Sequence, residues 1–266
     1  MKIPVNLRRK RPLIVFIILR TLVVLTMIFQ FIHGNYANVF TCILTLALFL
    51  IPSIVDRKFN IQLPNLLESI IYLFIFAAEI LGEIQNFYGI IPHWDTMLHT
   101  INGFLMAAIG FAMIDILNQH QYFHFKMSPV FVAVVAFCFS MTIGVVWEFF
   151  EYGMDRFFQT DMQKDTIVQT VSTVTLHPEG KNTPIVLENV ENTVINHNTD
   201  GTATATVVEG GYLDVGITDT MKDLWVNFIG AVAFSIIGYI YIVRRGKSKL
   251  IPNLVPTIKE DNNEQK

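Results

Sequence analysis

The sequence predicts a mainly α fold, a bundle of six transmembrane helices with a small extracytoplasmic β-rich insertion between the fifth and sixth. Three observations predict it. Of the 266 residues 52% are hydrophobic and only 15% charged; six stretches are apolar for about the 20 residues that a 30 Å hydrocarbon core requires; and one Thr- and Val-rich segment breaks that pattern. Such a composition excludes disordered, collagen-like and disulfide-scaffold classes. A net charge of −3 conceals a segregation of sign, with cations at both ends and acids in or beside apolar runs. That distribution argues against nucleic acid and names the lipid bilayer as partner.

The six expected spans are 13–32, 37–55, 63–84, 92–117, 129–150 and 220–243. An even number puts both termini on one side, and 14 of the 19 Lys and Arg fall on it, among them Arg8 to Arg11, Arg57, Lys58, Lys126 and the run from Arg244 to Lys249. The positive-inside rule makes that side cytoplasmic and the protein a multi-pass cell-membrane protein. Residues 1–156 are then helices one to five, 157–217 the insertion, 218–246 the sixth helix and 247–266 a cytoplasmic tail. The first span follows a basic stretch as a signal peptide would, but no small-x-small site follows Phe31-Ile32-His33-Gly34, so an uncleaved helix is expected. Cys42 and Cys138 lie within spans and read as small apolar residues.

Residues 157–217 contain 11 Thr and 9 Val in 61 positions, with turn signals at Pro178-Glu179-Gly180, Asp200-Gly201 and Gly210-Gly211. Strands are expected over 166–176, 185–196, 202–209 and 212–215. Phe157, Phe158 and Tyr212 are its only aromatics. So little core implies a small sheet leaning on the membrane domain, a second copy or an envelope partner.

A charge inside a span costs at least about 2.5 kcal/mol and faces protein or a wet cavity. Near the outer ends stand Glu79 and Glu83 on the third helix, Asp95 and His99 on the fourth, Glu148, Glu151 and Asp155 on the fifth, and Asp219 and Asp223 on the sixth. Eight carboxylates thus face two cations, Arg156 and Lys222. The series Glu79/Glu83, Asp95/His99, Glu151/Asp155 and Asp219/Asp223/Asn227 are spaced i, i+4, so each lines one stripe of its helix. Asp95, His99, Glu148, Glu151, Asp219 and Asp223 form the expected metal-ligating set, supported by Glu79, Glu83, Asn102, Asp155 and Asn227.

A plainer account exists for some of them. Asp95 and Asp219 occupy first turns, where the helix dipole welcomes a carboxylate. The acids at the C-terminal ends of the third and fifth helices oppose the dipole and need a proton, a cation or surface solvation. In the inner half, Arg20, Glu68 and Asp115 suit pairing or snorkelling. His120 and His124 suit a solvated loop, and His33, His93, His177 and His197 the surface. Gly103, Ala107, Gly110, Gly144, Gly230 and Gly238 let helices approach closely.

The segment Asp95-Thr96-Met97-Leu98-His99 recurs as Asp219-Thr220-Met221-Lys222-Asp223, which suggests related hairpins around one site. Together with Trp94, Asn102-Gly103, Trp147-Glu148-Phe149-Phe150-Glu151, Gly211-Tyr212-Leu213-Asp214 and Asn227 to Gly230, it resembles the YjdF-like bacterial membrane proteins. The likeness covers about a third of the chain. More remotely the Asp-x-x-x-His and later Asp…Asn-x-x-Gly elements are similar to VanZ-like proteins, a family linked to glycopeptide-antibiotic tolerance. The nearer resemblance implies membrane location and little mechanism.

Three functional classes stay open. A cation- or proton-binding membrane protein would use the outer acids and His99, and no cofactor is legible beyond a divalent cation held there. A metal-dependent enzyme would use the same ligands to activate water against a lipid or cell-envelope precursor. A structural or regulatory protein would need only the packing glycines and the insertion. No catalytic residue can be assigned.

Overall fold

Helix α1 (Lys10–Ile32) carries Pro12 in its first turn, where a missing N–H costs nothing. It ends as a Schellman motif: Gly34 takes φ +75°, its N–H donates to the Phe31 carbonyl, and the Asn35 N–H reaches the Gln30 carbonyl at 3.0 Å. The computed structural model describes residues 10–58, 61–119, 127–244 and 257–258. His120, His124 and most of the terminal cations that set the expected orientation lie outside the described residues.

Helix α2 (Tyr36–Leu48) is followed by α3 (Ile51–Lys58). Pro52 explains the break, since it has no N–H to donate back to Leu48. The short strand β1 (Ile61–Gln62) precedes α4 (Asn65–Phe76), which runs on as a π-helix over Ala77–Ile84. After α5 (Phe87–Ile90) come three long helices, α6 (Trp94–Gln119), α7 (Pro129–Phe158) and α8 (Ile217–Val243). Among the described residues, five helical stretches are long and apolar enough to cross a membrane: 12–32, 36–55, 94–115, 129–158 and 217–243. The third expected span, 63–84, is helical from Asn65 to Ile84 but changes from α to π at Ala77.

By internal contacts the chain divides into two units, Met1–Gly144 with Asp223–Lys266, and Val145–Lys222. In the first, α1 packs on α2 and α4, and the π-helix on α2 and α4. Val23, Phe49, Leu67, Tyr72 and Leu105 form one core cluster, with the Phe49 and Tyr72 rings edge to face at 5.6 Å. Ala107, Phe111, Val132, Ala231 and Phe234 form another, joining α6, α7 and α8. Asn118 and Met127 exchange two hydrogen bonds, Met127 N–H to Asn118 Oδ1 at 2.7 Å and Asn118 Nδ2 to the Met127 carbonyl at 3.2 Å. β1 pairs antiparallel with β8 (Thr257–Ile258).

Large apolar side chains such as Leu13, Ile17, Leu25, Phe131 and Ile229 remain more than half exposed. Water would not tolerate so wide an apolar surface; hydrocarbon does. Cys42 is buried, whereas Cys138 is exposed on its helix, and both are free thiols.

In the second unit, strands β2 (Ile167–Val168), β3 (Val171–Thr173), β4 (Ile185–Leu187), β5 (Asn192–Thr199), β6 (Thr202–Glu209) and β7 (Tyr212–Leu213) form three antiparallel ribbons, β2–β7, β3–β4 and β5–β6. The strands expected over 166–176 and 185–196 are each broken in two. Asn189 enters the left-handed region at φ +54°, and the next N–H, of Val190, leaves the ladder for the Gln169 carbonyl at 3.0 Å. The β5–β6 hairpin closes at Asp200-Gly201 with φ +51° and +80°, the two positive values a type I′ turn needs.

Candidate functional site

The first turns of α6 place Asp95, His99, Asn102 and Gly103 on adjoining positions of one face, as spacings of four and three require. On α8 the series Asp223, Asn227, Gly230 does the same. Glycine decides how near the two helices come. A Cβ at Gly103 would strike the Asn227 carbonyl, and one at Gly230 the Thr100 carbonyl, so only hydrogen permits this backbone approach. The contact brings Asp223 opposite His99.

The His99 Nε2 lies 3.4 Å from Asp95 Oδ1 and 4.0 Å from Asp223 Oδ2. One donor atom from each of the three residues falls within 4.8 Å of the others. His99 is 8% exposed and Asp223 1%. Two carboxylates beside one imidazole remain net negative even when the ring is protonated, so the group attracts a proton or a cation. Metal bonds of about 2.0–2.2 Å set neighbouring donor atoms roughly 3.3–3.6 Å apart; the His99–Asp95 separation already meets this, and Asp223 has to move closer to complete the set.

A polar layer lies one turn deeper along both helices. Asn102 Nδ2 donates to Asn227 Oδ1 at 3.1 Å, and Asn227 Nδ2 approaches the Met141 sulfur at 3.6 Å. Ser140 Oγ donates to the Gly103 carbonyl at 2.7 Å. Asn227 is wholly buried. Ser140 and Met141 carried no signal in the sequence, because a lone Ser or Met within an apolar helix reads as packing. Trp94 Nε1 and Thr96 Oγ1, at the head of α6, are buried atoms with no hydrogen-bond partner among the described residues.

The expected ligands fall into two groups. Asp95, His99 and Asp223 come together, and Asn102 and Asn227 support them. Glu79 is buried within the π-helix and Glu83 is exposed at its end. Glu148, Glu151, Asp155 and Asp219 belong to the other unit. There Glu151 accepts from Trp147 Nε1 at 2.8 Å, and Glu148 is buried. Asp155, whose place at a helix C-terminus looked electrostatically wrong, accepts from the Thr160 hydroxyl and from the Met162 and Gln163 N–H groups at 2.6–2.8 Å. The returning loop supplies the partial positive charge that the dipole withholds. Asp219 accepts from the Lys164 N–H at 2.8 Å and stands 3.8 Å from Lys222 Nζ.

Of the other charged residues expected within spans, the Arg20 guanidinium sits 5.7 Å from the centre of the Phe16 ring, Tyr72 donates to Glu68 at 3.2 Å, and Asp115 is buried. Of the isolated histidines, His33 and His93 are exposed. His177 accepts N–H groups of its own turn, and His197 meets Thr206 across the β5–β6 ribbon.

A family model described as "Predicted membrane protein (DUF2238)" matches residues 14–244. An uncharacterised protein of Thermotoga maritima is 24% identical over 105 residues, 40% of this chain and 52% of that protein. The match therefore spans about half of that relative's length. No solved structure matches.

Proposed function

The chain belongs to the DUF2238 family of predicted membrane proteins, and from that premise we propose that it binds a divalent cation through Asp95, His99 and Asp223. The observation that carries this is the His99 Nε2 held 3.4 and 4.0 Å from two carboxylates in a largely buried position. With three protein donors, a tetrahedral ion keeps one position for water, the arrangement by which zinc sites generate hydroxide. That open position supports an enzyme acting on a lipid or envelope precursor as the second reading.

The same proposal includes the topology: six spans, counting Asn65–Ile84, with both termini cytoplasmic and 157–217 outside. The distribution of Lys and Arg supports the orientation. The continuity of α4 with the π-helix over 20 residues supports the sixth crossing. Asp95, His99 and Asp223 then belong to the outer half of the membrane. The motif likeness to YjdF-like proteins is compatible with this reading and adds no chemistry to it.

Elemental analysis of the full-length protein in detergent tests the cation. Wild type and His33→Ala, which alters an exposed histidine, should each carry about one equivalent of a divalent metal, and His99→Ala and Asp223→Asn at least tenfold less. Equal content in all four, or none in any, overturns the metal reading; the second result leaves a shared proton as the neutralising charge.

A further inference from the structure

A groove of about 400 Å³ runs along the first turns of α7 and the second half of α8, lined by Val130, Ala133 and Phe137 on one side and Val232, Ser235 and Tyr239 on the other. It lies on a surface whose neighbouring side chains, Val134 and Ile236, are about half exposed. Its volume falls at the small end of ligand pockets, which pair apolar walls with a few orienting polar groups. The wall is apolar except for the hydroxyls of Ser235 and Tyr239. Ser235 is only 8% exposed, and its Oγ has no hydrogen-bond partner among the described residues, not even the carbonyl four residues earlier that a helical serine ordinarily uses.

Going along α8, the chemistry changes in a fixed order. Val232 is hydrocarbon, Ser235 offers a hydroxyl, and Tyr239 offers a phenol about 6 Å further on. Arg244 follows about 7.5 Å beyond Tyr239, on the stripe of Val232, Ile236 and Ile240. It opens the run Arg244, Arg245, Lys247, Lys249, four cations in six positions. Hydrocarbon, ester oxygens and phosphate occur in the same order along a phospholipid. A basic cluster directly after a membrane helix attracts anionic headgroups.

We propose that this groove seats one anionic phospholipid, with an acyl chain against Val130, Ala133 and Phe137, ester oxygens at Ser235 and Tyr239, and its phosphate at Arg244, exposed at the end of α8. The Arg244 charge selects the anionic headgroup over a zwitterionic one. The site is separate from the Asp95, His99, Asp223 group and uses none of its residues.

The test is to reconstitute the full chain in vesicles of equimolar phosphatidylglycerol and phosphatidylcholine, re-extract it in mild detergent and measure the lipid retained per chain by mass spectrometry. Wild type should retain about one phosphatidylglycerol, preferred about tenfold over phosphatidylcholine. Ala133→Phe, which fills the groove from its lipid-facing side, should lower the retained phosphatidylglycerol at least fivefold. Arg244→Gln touches no packed surface and should reduce the preference several-fold, so it decides the matter if the first variant melts at a lower temperature. Equal retention of the two lipids by wild type overturns the proposal. So does an Arg244→Gln protein with undiminished preference, or an Ala133→Phe protein that keeps its lipid.

Discussion

Single atoms decide the geometry of the polar group in the N-terminal halves of α6 and α8. Gly103 and Gly230 each face a carbonyl of the opposite helix, and a methyl group at either position must push the helices apart. Overpacking of this kind costs about 1–3 kcal/mol. Gly103→Ala and Gly230→Ala should therefore each lower the melting temperature in detergent, and the double variant should fall short of the sum because both act on one seam. An unchanged melting temperature in both would show that the seam opens freely. Asn227, wholly buried and bonded to Asn102, should cost about 1–3 kcal/mol on replacement by Leu, since Asn102 then loses its partner. Positions 99 and 223, equivalent in the short echo between the two helices, are the ones that meet. So are Gly103 and Asn227.

Elements show how anti-dipole acids are accommodated. Asp155 is satisfied by the loop that returns over the end of α7, and Asp214 performs a related task before α8. Burial pushes the Asp214 carboxyl up, but the Thr218 side chain and the N–H groups of Thr166, Thr218 and Gly216 outweigh it and hold the group below the usual carboxylate range. A depressed value means stabilisation that is complete above the unfolded value of about 3.9 and is lost as pH falls through the folded one. Protection factors against amide exchange at Thr166, Gly216 and Thr218 should fall on acidification below about pH 4, and Asp214→Asn should remove that pH dependence while lowering protection at neutral pH. Protection factors that do not change with pH in the native protein would disprove the role. Asp165 is displaced the other way, by burial and then by repulsion from Asp161, Asp214 and Asp155. Its protonation favours the fold as pH falls, so the loss due to Asp214 emerges only at lower pH. The π-helix at Ala77–Ile84 is another local departure: it widens the turn that carries the buried Glu79, and such turns recur at functional sites.

For the molecule as a whole, the topology makes a prediction about access. In a protein with Cys42 and Cys138 replaced by Ala, Gly201→Cys at the tip of the β5–β6 hairpin should react with an impermeant maleimide on intact cells, and Asn253→Cys only after lysis. The reverse pattern would invert the orientation and place Asp95, His99 and Asp223 toward the cytoplasm. Long helices and the Asp200-Gly201 hairpin were legible from letters alone, because apolar runs of membrane length and turn residues act locally. Asp95/His99 was visible as one stripe for the same reason, since spacing along a helix is a local property. The union of that stripe with Asp223, and the assignment of Asp155 and Asp219 to loop anchoring, followed only from the packed chain. Those outcomes depend on contacts across 125 residues or on where a loop returns, and similar carboxylates serve either purpose. Composition thus dictated that the chain enters a bilayer and roughly where it crosses. Tertiary structure chose which acids share an imidazole, because glycine contacts between α6 and α8 set a distance that no one-dimensional pattern records.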